Sequence, residues 1–365
     1  MTGSDLVVER TAVEVVPEDI DSEALLFRAA LARGLPAKHV SLALRFSRPP
    51  ERWLQISVGR RRYLYRRTVM YSNRRLFGWK FGLINGKASL ITGSKHKTSQ
   101  RLREVGLPVP QGLVFARAES AAALDYFHAL GREVCIKPDV GQRGDNIVPR
   151  INDPVHFSSV FARAAERHER IRVEESVAGD IIRYMVVGTE VAAVRLDRPA
   201  SVLGDGVSTI AELAERRNAE TRAAKLSTWG EIILDGEAER VLALEGLSLD
   251  SRIPAGQRAF LRATSNIPTG AEGIGSPPGL HPSYAASTLK AVAAIPGLVL
   301  SAVDLMVADY RQPASPTNHW FLDLNSGPGI TNFHFPREGA PSDVAGFIID
   351  WLIKGGLGSR STKEI

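Results

Sequence analysis

The sequence predicts an α+β protein built in several layers, with antiparallel strand pairs. Three observations carry that expectation. An amphipathic stretch of helical spacing, Ser120 to Leu130, is followed by a short apolar run of strand length, Val134 to Lys137. Ile181 to Val187 and Glu190 to Leu196 flank the pair Gly188-Thr189, as a tight hairpin requires. Glycine (32) and proline (21) are plentiful among the 365 residues, which suits many turns, and no internal repeat or low-complexity segment breaks the pattern.

Taken in order, Leu25 to Leu31 reads as a helix stopped by Gly34-Leu35-Pro36, and Trp53 to Val58 alternates as a strand until Gly59 breaks it. Residues 1–94 thus read as a separate, smaller unit. From Lys95 the pattern changes. Gln100 to Val105 reads as a short helix ended by Gly106, with Pro108 and Pro110 beyond. The helix at Ser120 to Leu130 has Ala123, Leu124, Phe127 and Leu130 on one face, and the strand after it runs into a loop containing Gly141 and Gly144. Asp153-Pro154 opens a helix with Phe157, Val160, Phe161 and Ala164 on its apolar side. After the hairpin come a turn at Gly204-Asp205-Gly206 and a capping box, Thr209 with Glu212. Val303 to Val307 and Trp320 to Leu324 read as two late strands.

Composition is that of an ordinary globular protein, with 44% hydrophobic and 24% charged residues. A single cysteine, Cys135, excludes an intramolecular disulfide and a cysteine zinc cluster, and its apolar neighbours mark it as buried and structural. The N-terminus has no apolar signal region, and the longest apolar stretch, Ala291 to Met306, is broken by Pro296, Gly297, Ser301 and Asp304. A cytoplasmic protein with no membrane partner is expected. Net charge is +6, with much of the excess between Arg60 and Arg67 and at Arg74-Arg75. Interleaved aromatics and arginines can bind nucleic acid, recruit a polyanionic substrate, or form a solvated face. With no zinc site, helix-turn-helix pattern or RNP-like aromatic signature, nucleic acid is not the expected partner.

Three constellations carry chemistry. On the strand ending at Asn325, Asp323 and Asn325 project to one face, and a carboxylate beside an amide oxygen suits a hard cation such as Mg²⁺. The same two residues also suit a turn cap before Gly327-Pro328-Gly329. Asp304, inside the apolar run Ala302 to Met306, is costly to bury unpaired, and a shared metal explains it. Second, Lys137 leaves an apolar strand just before the glycine loop, where its ammonium and free backbone N–H groups can meet phosphates, although the spacing is not that of a Walker A loop and a plain surface turn fits too. Third, Ile171 to Gly179 offers a strand end with carboxylates that can clasp an adenine ring or simply be exposed.

The order of these pieces is informative. Lys95, Lys137 with its loop, Val173-Glu174-Glu175, Asp304 and Asp323-Leu324-Asn325 together resemble the ATP-grasp superfamily. The stretch 90–350 looks like the ATP-grasp part of cyanophycin synthetases and bifunctional glutathione synthetases. That likeness rests on Gly106 to Pro110, Arg183 to Val187, Arg195, Gly204-Asp205-Gly206 with Thr209 and Leu213, Asn218, Leu261-Arg262, His281-Pro282, Val303-Asp304 and Asn325 to Gly329. It implies an ATP-grasp fold with an N-terminal pre-ATP-grasp domain over 1–94, a central lid-bearing subdomain over 95–174, and a C-terminal subdomain over 175–365 holding the metal and substrate site.

Roles follow from the resemblance. Lys95 and Lys137, with Gly141 and Gly144, would contact ATP phosphates, and Glu174, Glu175 and Val177 would line the adenine. Asp304, Asp323 and Asn325 would hold Mg²⁺, expected as two ions with Mn²⁺ as a substitute. Arg195, Arg183 and Asn218 would act at the transferring phosphoryl group, and Ser326, Gly327 and His334 would line the substrate pocket. Ile181 stands where relatives usually carry an acid near the ribose, and Asp323 replaces the more usual Glu. The implied activity is an ATP-dependent carboxylate–amine ligase forming an amide bond through an acyl phosphate, with amino-acid or peptide substrates. A phosphotransferase acting on a hydroxyl, and a nucleotide-binding module without chemistry, are the alternatives. The chain shows neither the second ligase domain of cyanophycin synthetase nor the γ-glutamylcysteine ligase domain of glutathione enzymes, so neither product carries over. The N-terminal arginines suggest an acidic substrate or a docked peptide primer, and relatives commonly form homo-oligomers.

Overall fold

The structure, a computed structural model, describes residues 21–42, 51–75, 79–140, 147–226 and 228–356. Helix α1 (Ser22–Ala32) starts where the Asp21 carboxylate accepts the Ala24 N–H at 2.8 Å, and it buries Leu25, Leu26, Ala29 and Ala30 along one stripe. It is followed by an antiparallel meander of five strands, β1 (Ala37–Leu42), β2 (Glu51–Val58), β3 (Arg61–Arg66), β4 (Val69–Arg75) and β5 (Trp79–Leu83), which pair in chain order.

Helices α2 (Ala88–Thr92) and α3 (Lys95–Glu104) lead into a second sheet. Helix α3 begins at Lys95 rather than Gln100 because the Ser94 hydroxyl caps it, accepting the Lys97 N–H. Its first turns carry no apolar residue, so apolar spacing alone could not reveal them. The second unit contains β6 (Gly112–Ala116), α4 (Ser120–Leu130), β7 (Val134–Pro138), β8 (Val148–Ile151), α5 (Pro154–Arg167) and β9 (Arg170–Glu175), with strand order β6-β9-β7-β8. Helices α4 and α5 cover one face, where Phe127 stacks on Phe157 at 4.9 Å between ring centroids, over Ile136 and Val173. Asp153 caps α5 from the residue before Pro154, as its sequence requires.

The remaining chain forms β10 (Asp180–Val187), β11 (Glu190–Arg198), β12 (Ser201–Leu203), α6 (Ile210–Ala224), α7 (Gly236–Leu244), β13 (Arg258–Phe260), β14 (Glu272–Gly275), α8 (Ser283–Ala293), β15 (Leu300–Val307), β16 (His319–Asn325), α9 (Thr331–His334), β17 (Glu338–Gly339) and α10 (Val344–Ile353). A six-stranded sheet runs β16-β15-β10-β11-β14-β17, antiparallel except for the last pair. Gly188, at φ 65°, makes the β10–β11 turn. Strands β12 and β13 with α6 and α7 enclose a small separate core around Val202, Ile210 and Leu242, and Thr209 with Glu212 closes the capping box of α6.

Both faces of the six-stranded sheet are buried. On one, Ile182, Tyr184, Val303 and Phe321 pack under α8. On the other, Met185, Val187 and Leu300 share a single cluster with Leu26 of α1, Leu54 and Tyr63 of the meander, and Ile349 of α10. Among the described residues, the N-terminal unit that the sequence sets apart therefore shares its apolar core with the six-stranded sheet. Asn85 rivets the joint: its Oδ1 accepts the Val299 and Leu300 N–H groups at 2.9 and 3.0 Å, and its Nδ2 donates to the Leu300 and Ser326 carbonyls at 2.8 and 2.7 Å. All four bonding positions of that buried amide are used. Among the described residues no helix is long and apolar enough to cross a membrane. Cys135 is buried, and its thiol is pushed up to about 12 by burial.

Candidate active site

The alternation of the central strands decides where the charges go. Met185, Ala193 and Leu300 point toward the cluster shared with the N-terminal unit, so Arg183, Arg195, Asp197 and Asp304, an even number of residues along the same strands, emerge on that same face. Strand β16 joins them through a bulge. The register jumps from Asp304 opposite Asp323 to Leu305 opposite Phe321, leaving Leu322 unpaired. Phe321 and Leu324, three residues apart, both reach the apolar core, and Asp323 is turned to the charged face beside Asp304.

These side chains form one network. Arg183 grips Asp304 with two nitrogens, Nη2 to Oδ2 at 2.6 Å, and its Nε stands 3.8 Å from Asp197. Arg195, buried, bonds Asp197 through Nε and through Nη2 at 2.9 Å, and its guanidinium lies 4.9 Å above the Phe333 ring. A methyl group added at Gly273 would lie 2.7 Å from Arg195 Cδ, so that glycine leaves room for the arginine stem. Lys95 Nζ is 3.8 Å from Asp323. Burial raises the Asp323 carboxyl above its ordinary range, Lys95 opposes the rise and the charge of Asp304 adds to it. Burial works against the charge of Arg183, but Asp304 and Asp197 more than offset it and hold the guanidinium firmly charged.

The four-stranded unit supplies the facing wall. In β7 and β9, Lys137, Arg172 and Glu174 converge, with Glu174 bonded to both cations and all three nearly sealed from solvent. Burial pushes the Glu174 carboxyl up, yet Lys137 and Arg172 hold it below the usual carboxylate range. Lys137 also acts on Asp323, which sets it across from the strand-borne carboxylates. Asp139, two residues further, ties the walls together: its buried carboxylate accepts the His96 N–H at 2.8 Å and the Ser94 hydroxyl at 3.0 Å, and its carbonyl accepts the Lys95 N–H at 3.1 Å. An anion at the N-terminus of α3 is favourable there, and it places Lys95 at the base of the cleft.

The structure thus brings together Lys95, Lys137, Glu174, Arg183, Arg195, Asp304 and Asp323. At the end of β16 the Asn325 amide oxygen accepts the Gly327 N–H at 2.9 Å, the turn-capping geometry, with Ser326 and Gly327 continuing the loop. Glu175 lies at the rim, accepting from Gln111 N–H at 3.0 Å and Arg132 at 2.8 Å, and Val177 is half-buried just beyond β9. Two more of the expected residues have partners of their own. Asn218 is buried in α6, where its amide accepts the Ile232 N–H at 2.7 Å and donates to the Ile232 carbonyl at 2.9 Å. His334 accepts the Ala345 N–H at 3.0 Å through Nε2 at the start of α10, and burial lowers its pKa. Gly141 and Gly144 lie outside the described residues. Asp197, Arg172 and Asp139 were missed, although charged residues two apart inside apolar strands, Arg195 with Asp197 and Arg172 with Glu174, are a readable signal.

Among the described residues no group of three or more His, Cys, Asp or Glu side chains converges as a metal cage. The donors present are the opposed carboxylates of Asp304 and Asp323 and the Asn325 amide. This all-oxygen set fits Mg²⁺, which keeps water and phosphate oxygens in its shell.

No protein-family model matches the chain. A cyanophycin synthetase from a Synechocystis species is 30% identical over 280 residues, which cover 73% of this chain and 31% of that protein. The bifunctional glutathione biosynthesis protein of Mannheimia succiniciproducens is 35% identical over 258 residues, covering 68% of this chain and 34% of that one. The crystal structure of a bifunctional glutathione synthetase from Pasteurella multocida superposes with a TM-score of 0.64 at 25% identity, over 93% of this chain and 45% of the other. The chain spans about a third of the length of these curated relatives. With its fold, its site residues in family order and these relatives, the chain belongs to the ATP-grasp superfamily.

Proposed function

We propose that the protein is an ATP-dependent carboxylate–amine ligase that forms an amide bond between amino-acid or peptide substrates. The observation that carries the reading is the strip of Arg183, Arg195, Asp304 and Asp323 on one sheet face, with Lys95 and Lys137 facing it. Relatives named as cyanophycin and glutathione synthetases support the same chemistry.

In the first step a substrate carboxylate oxygen attacks the γ-phosphorus of ATP, the bond to the β-bridging oxygen breaks, and ADP leaves. In the second, an amine attacks the acyl phosphate, loses a proton and expels inorganic phosphate. Lys95 and Lys137 hold phosphate oxygens. Glu174 and Arg172 keep Lys137 extended toward them, and the end of β9 from Glu174 to Val177 receives the adenine. Arg195, fixed by Asp197 and Phe333, and Arg183 stabilise charge on the transferring group. Asp304, Asp323 and Asn325 would hold Mg²⁺, which supplies charge neutralisation at the phosphates. The reading includes two such ions with Mn²⁺ as a substitute, functional units at 1–94, 95–174 and 175–365, a cytoplasmic setting and self-association.

The test is ADP release from the purified protein with Mg²⁺-ATP and pooled amino acids, run beside Asp323→Ala. Turnover that needs amino acids and vanishes in the variant is expected. A phosphorylated product that survives hydroxylamine would mean transfer to a hydroxyl instead.

A further inference from the structure

Asp139 stands where two apolar cores meet. The strand it follows, β7, belongs to the four-stranded unit, whose core holds Ile136 and Val173 with Phe127, Phe157 and Phe161 of α4 and α5. Helix α3 belongs to the other core, since Leu102 and the nearby Leu107 share a cluster with Val303 and Phe321 of the six-stranded sheet. The two lysines of the cleft are therefore carried by different cores, Lys137 by the first and Lys95 by the second.

Asp139 continues the line of β7, its N–H donating to the Arg170 carbonyl at 3.1 Å. Residues two apart on a strand share a face, so its side chain leaves on the side of Lys137. There it takes over the first turn of α3. Its carboxylate accepts the His96 N–H at 2.8 Å and the Ser94 hydroxyl at 3.0 Å, and its carbonyl accepts the Lys95 N–H at 3.1 Å. The same Ser94 hydroxyl accepts the Lys97 N–H at 3.3 Å. The N–H groups of Lys95, His96 and Lys97, which a helix leaves without partners of its own, are thus all satisfied, two of them by Asp139.

Capping does not require this. Helices α1, α5, α6 and α7 are each capped by the side chain of the residue just before them, and Ser94 does the same for α3. A second carboxylate, brought from another core and only 1% exposed, is costly to bury. Its ion pair is with Arg170, 3.4 Å away on a side chain 58% exposed. What the arrangement adds to a capped helix is a fixed position for α3 relative to β7.

We infer that Asp139 is a positioning residue for the nucleotide, holding Lys95 at one distance from Lys137 so that both ammonium groups reach the same phosphate chain. Its contribution to ATP affinity runs through Lys95, because its own carboxylate is spent on α3. The inference rests on the reading of the two lysines as phosphate ligands and adds the residue that sets their spacing.

The experiment measures binding of a non-hydrolysable ATP analogue with Mg²⁺, by isothermal titration, to wild type, Asp139→Ala, Asp139→Asn, Lys95→Ala and D139A/K95A. The Asp139 carbonyl still accepts the Lys95 N–H in each Asp139 variant, which keeps the joint while the carboxylate is withdrawn. Asp139→Ala should bind about tenfold more weakly, and the same change in the Lys95→Ala background should cost under about twofold. Asp139→Asn keeps an acceptor for the His96 N–H and should recover binding to within about threefold of wild type. Equal losses from Asp139→Ala in both backgrounds would make the residue merely structural and overturn the inference, as would unchanged binding by Asp139→Ala. Asp139→Thr, which keeps the side-chain bulk, carries the same cycle should the alanine variant fail to fold. Unchanged binding by Lys95→Ala would overturn the phosphate role of Lys95 and this inference with it. Amino-acid-dependent ADP release, read separately, reports on the ligase reading.

Discussion

The triad of Lys137, Arg172 and Glu174 on the four-stranded sheet and the group of Lys95, Arg183, Asp304 and Asp323 beside the six-stranded one use the same kinds of side chain under different conditions. The triad is sealed, with side-chain exposures of 6%, 0% and 4%. The strand-side group stays partly open, with Arg183 at 34% and Asp323 at 30%. Two cations around one carboxylate favour ionisation, so Glu174 titrates low. Burial, opposed by Lys95 and reinforced by the charge of Asp304 alongside, disfavours it, so Asp323 titrates high. The first arrangement holds a lysine in place. The second is poised to take up another cation.

The largest expected effect comes from opening the triad. Lys137→Met leaves Glu174 buried with Arg172 alone and should cost about 3–5 kcal/mol of stability, read by chemical denaturation. A loss under about 1 kcal/mol would mean water reaches the pair. Next, Asp304→Asn keeps the shape of the strand-side group and removes one charge. It should lower kcat/KM for ADP release by about 10²–10³-fold, with the fold retained because Arg183 still faces Asp197 at 3.8 Å. A variant that unfolds instead would make Asp304 structural.

The smallest effect is the sharpest test of the contrast. A carboxyl whose pKa is raised by folding contributes stability at low pH that is lost as pH rises through its folded value, and a lowered one does the reverse. In the chelator-treated protein, Asp323→Asn should therefore stabilise by about 0.5–2 kcal/mol at pH 7, and the gain should vanish below about pH 4. Glu174→Gln should destabilise at pH 7 and approach wild type only as pH falls past the depressed carboxyl of Glu174. Thermal melts across pH decide it, and parallel behaviour of the two variants would erase the distinction.

Much of this architecture is legible in the residues themselves. Helix α4 and the hairpin at Gly188-Thr189 lie where periodicity puts them, because local pattern and tertiary burial agree there. The burial of Lys137 and Glu174 follows from charges set within apolar strands. What periodicity does not contain is the partner of each buried face. It marks Trp53 to Val58 as an alternating strand, yet gives no sign that Leu54 packs in one cluster with Met185 and Ile349. The bulge at Leu322 was equally hidden, since a single extra residue inverts the facing of a strand without altering its composition. The resemblance assigns Asn218 to the phosphoryl group and His334 to the substrate pocket, and their bonds to Ile232 and Ala345 cannot be read from residue type or position.

The shared core has a consequence for how such a protein can diversify. Met185 and Ala193, two and two residues along from Arg183 and Arg195, fill the same cluster as the meander. A chimera that imports another protein's N-terminal sheet must repack those strands, and a misfit of one methylene there is felt at the arginines. The packing of the meander and the holding of the arginines are mechanically linked, so substitutions at Leu54 or Tyr63 should be felt at Arg183 and Arg195.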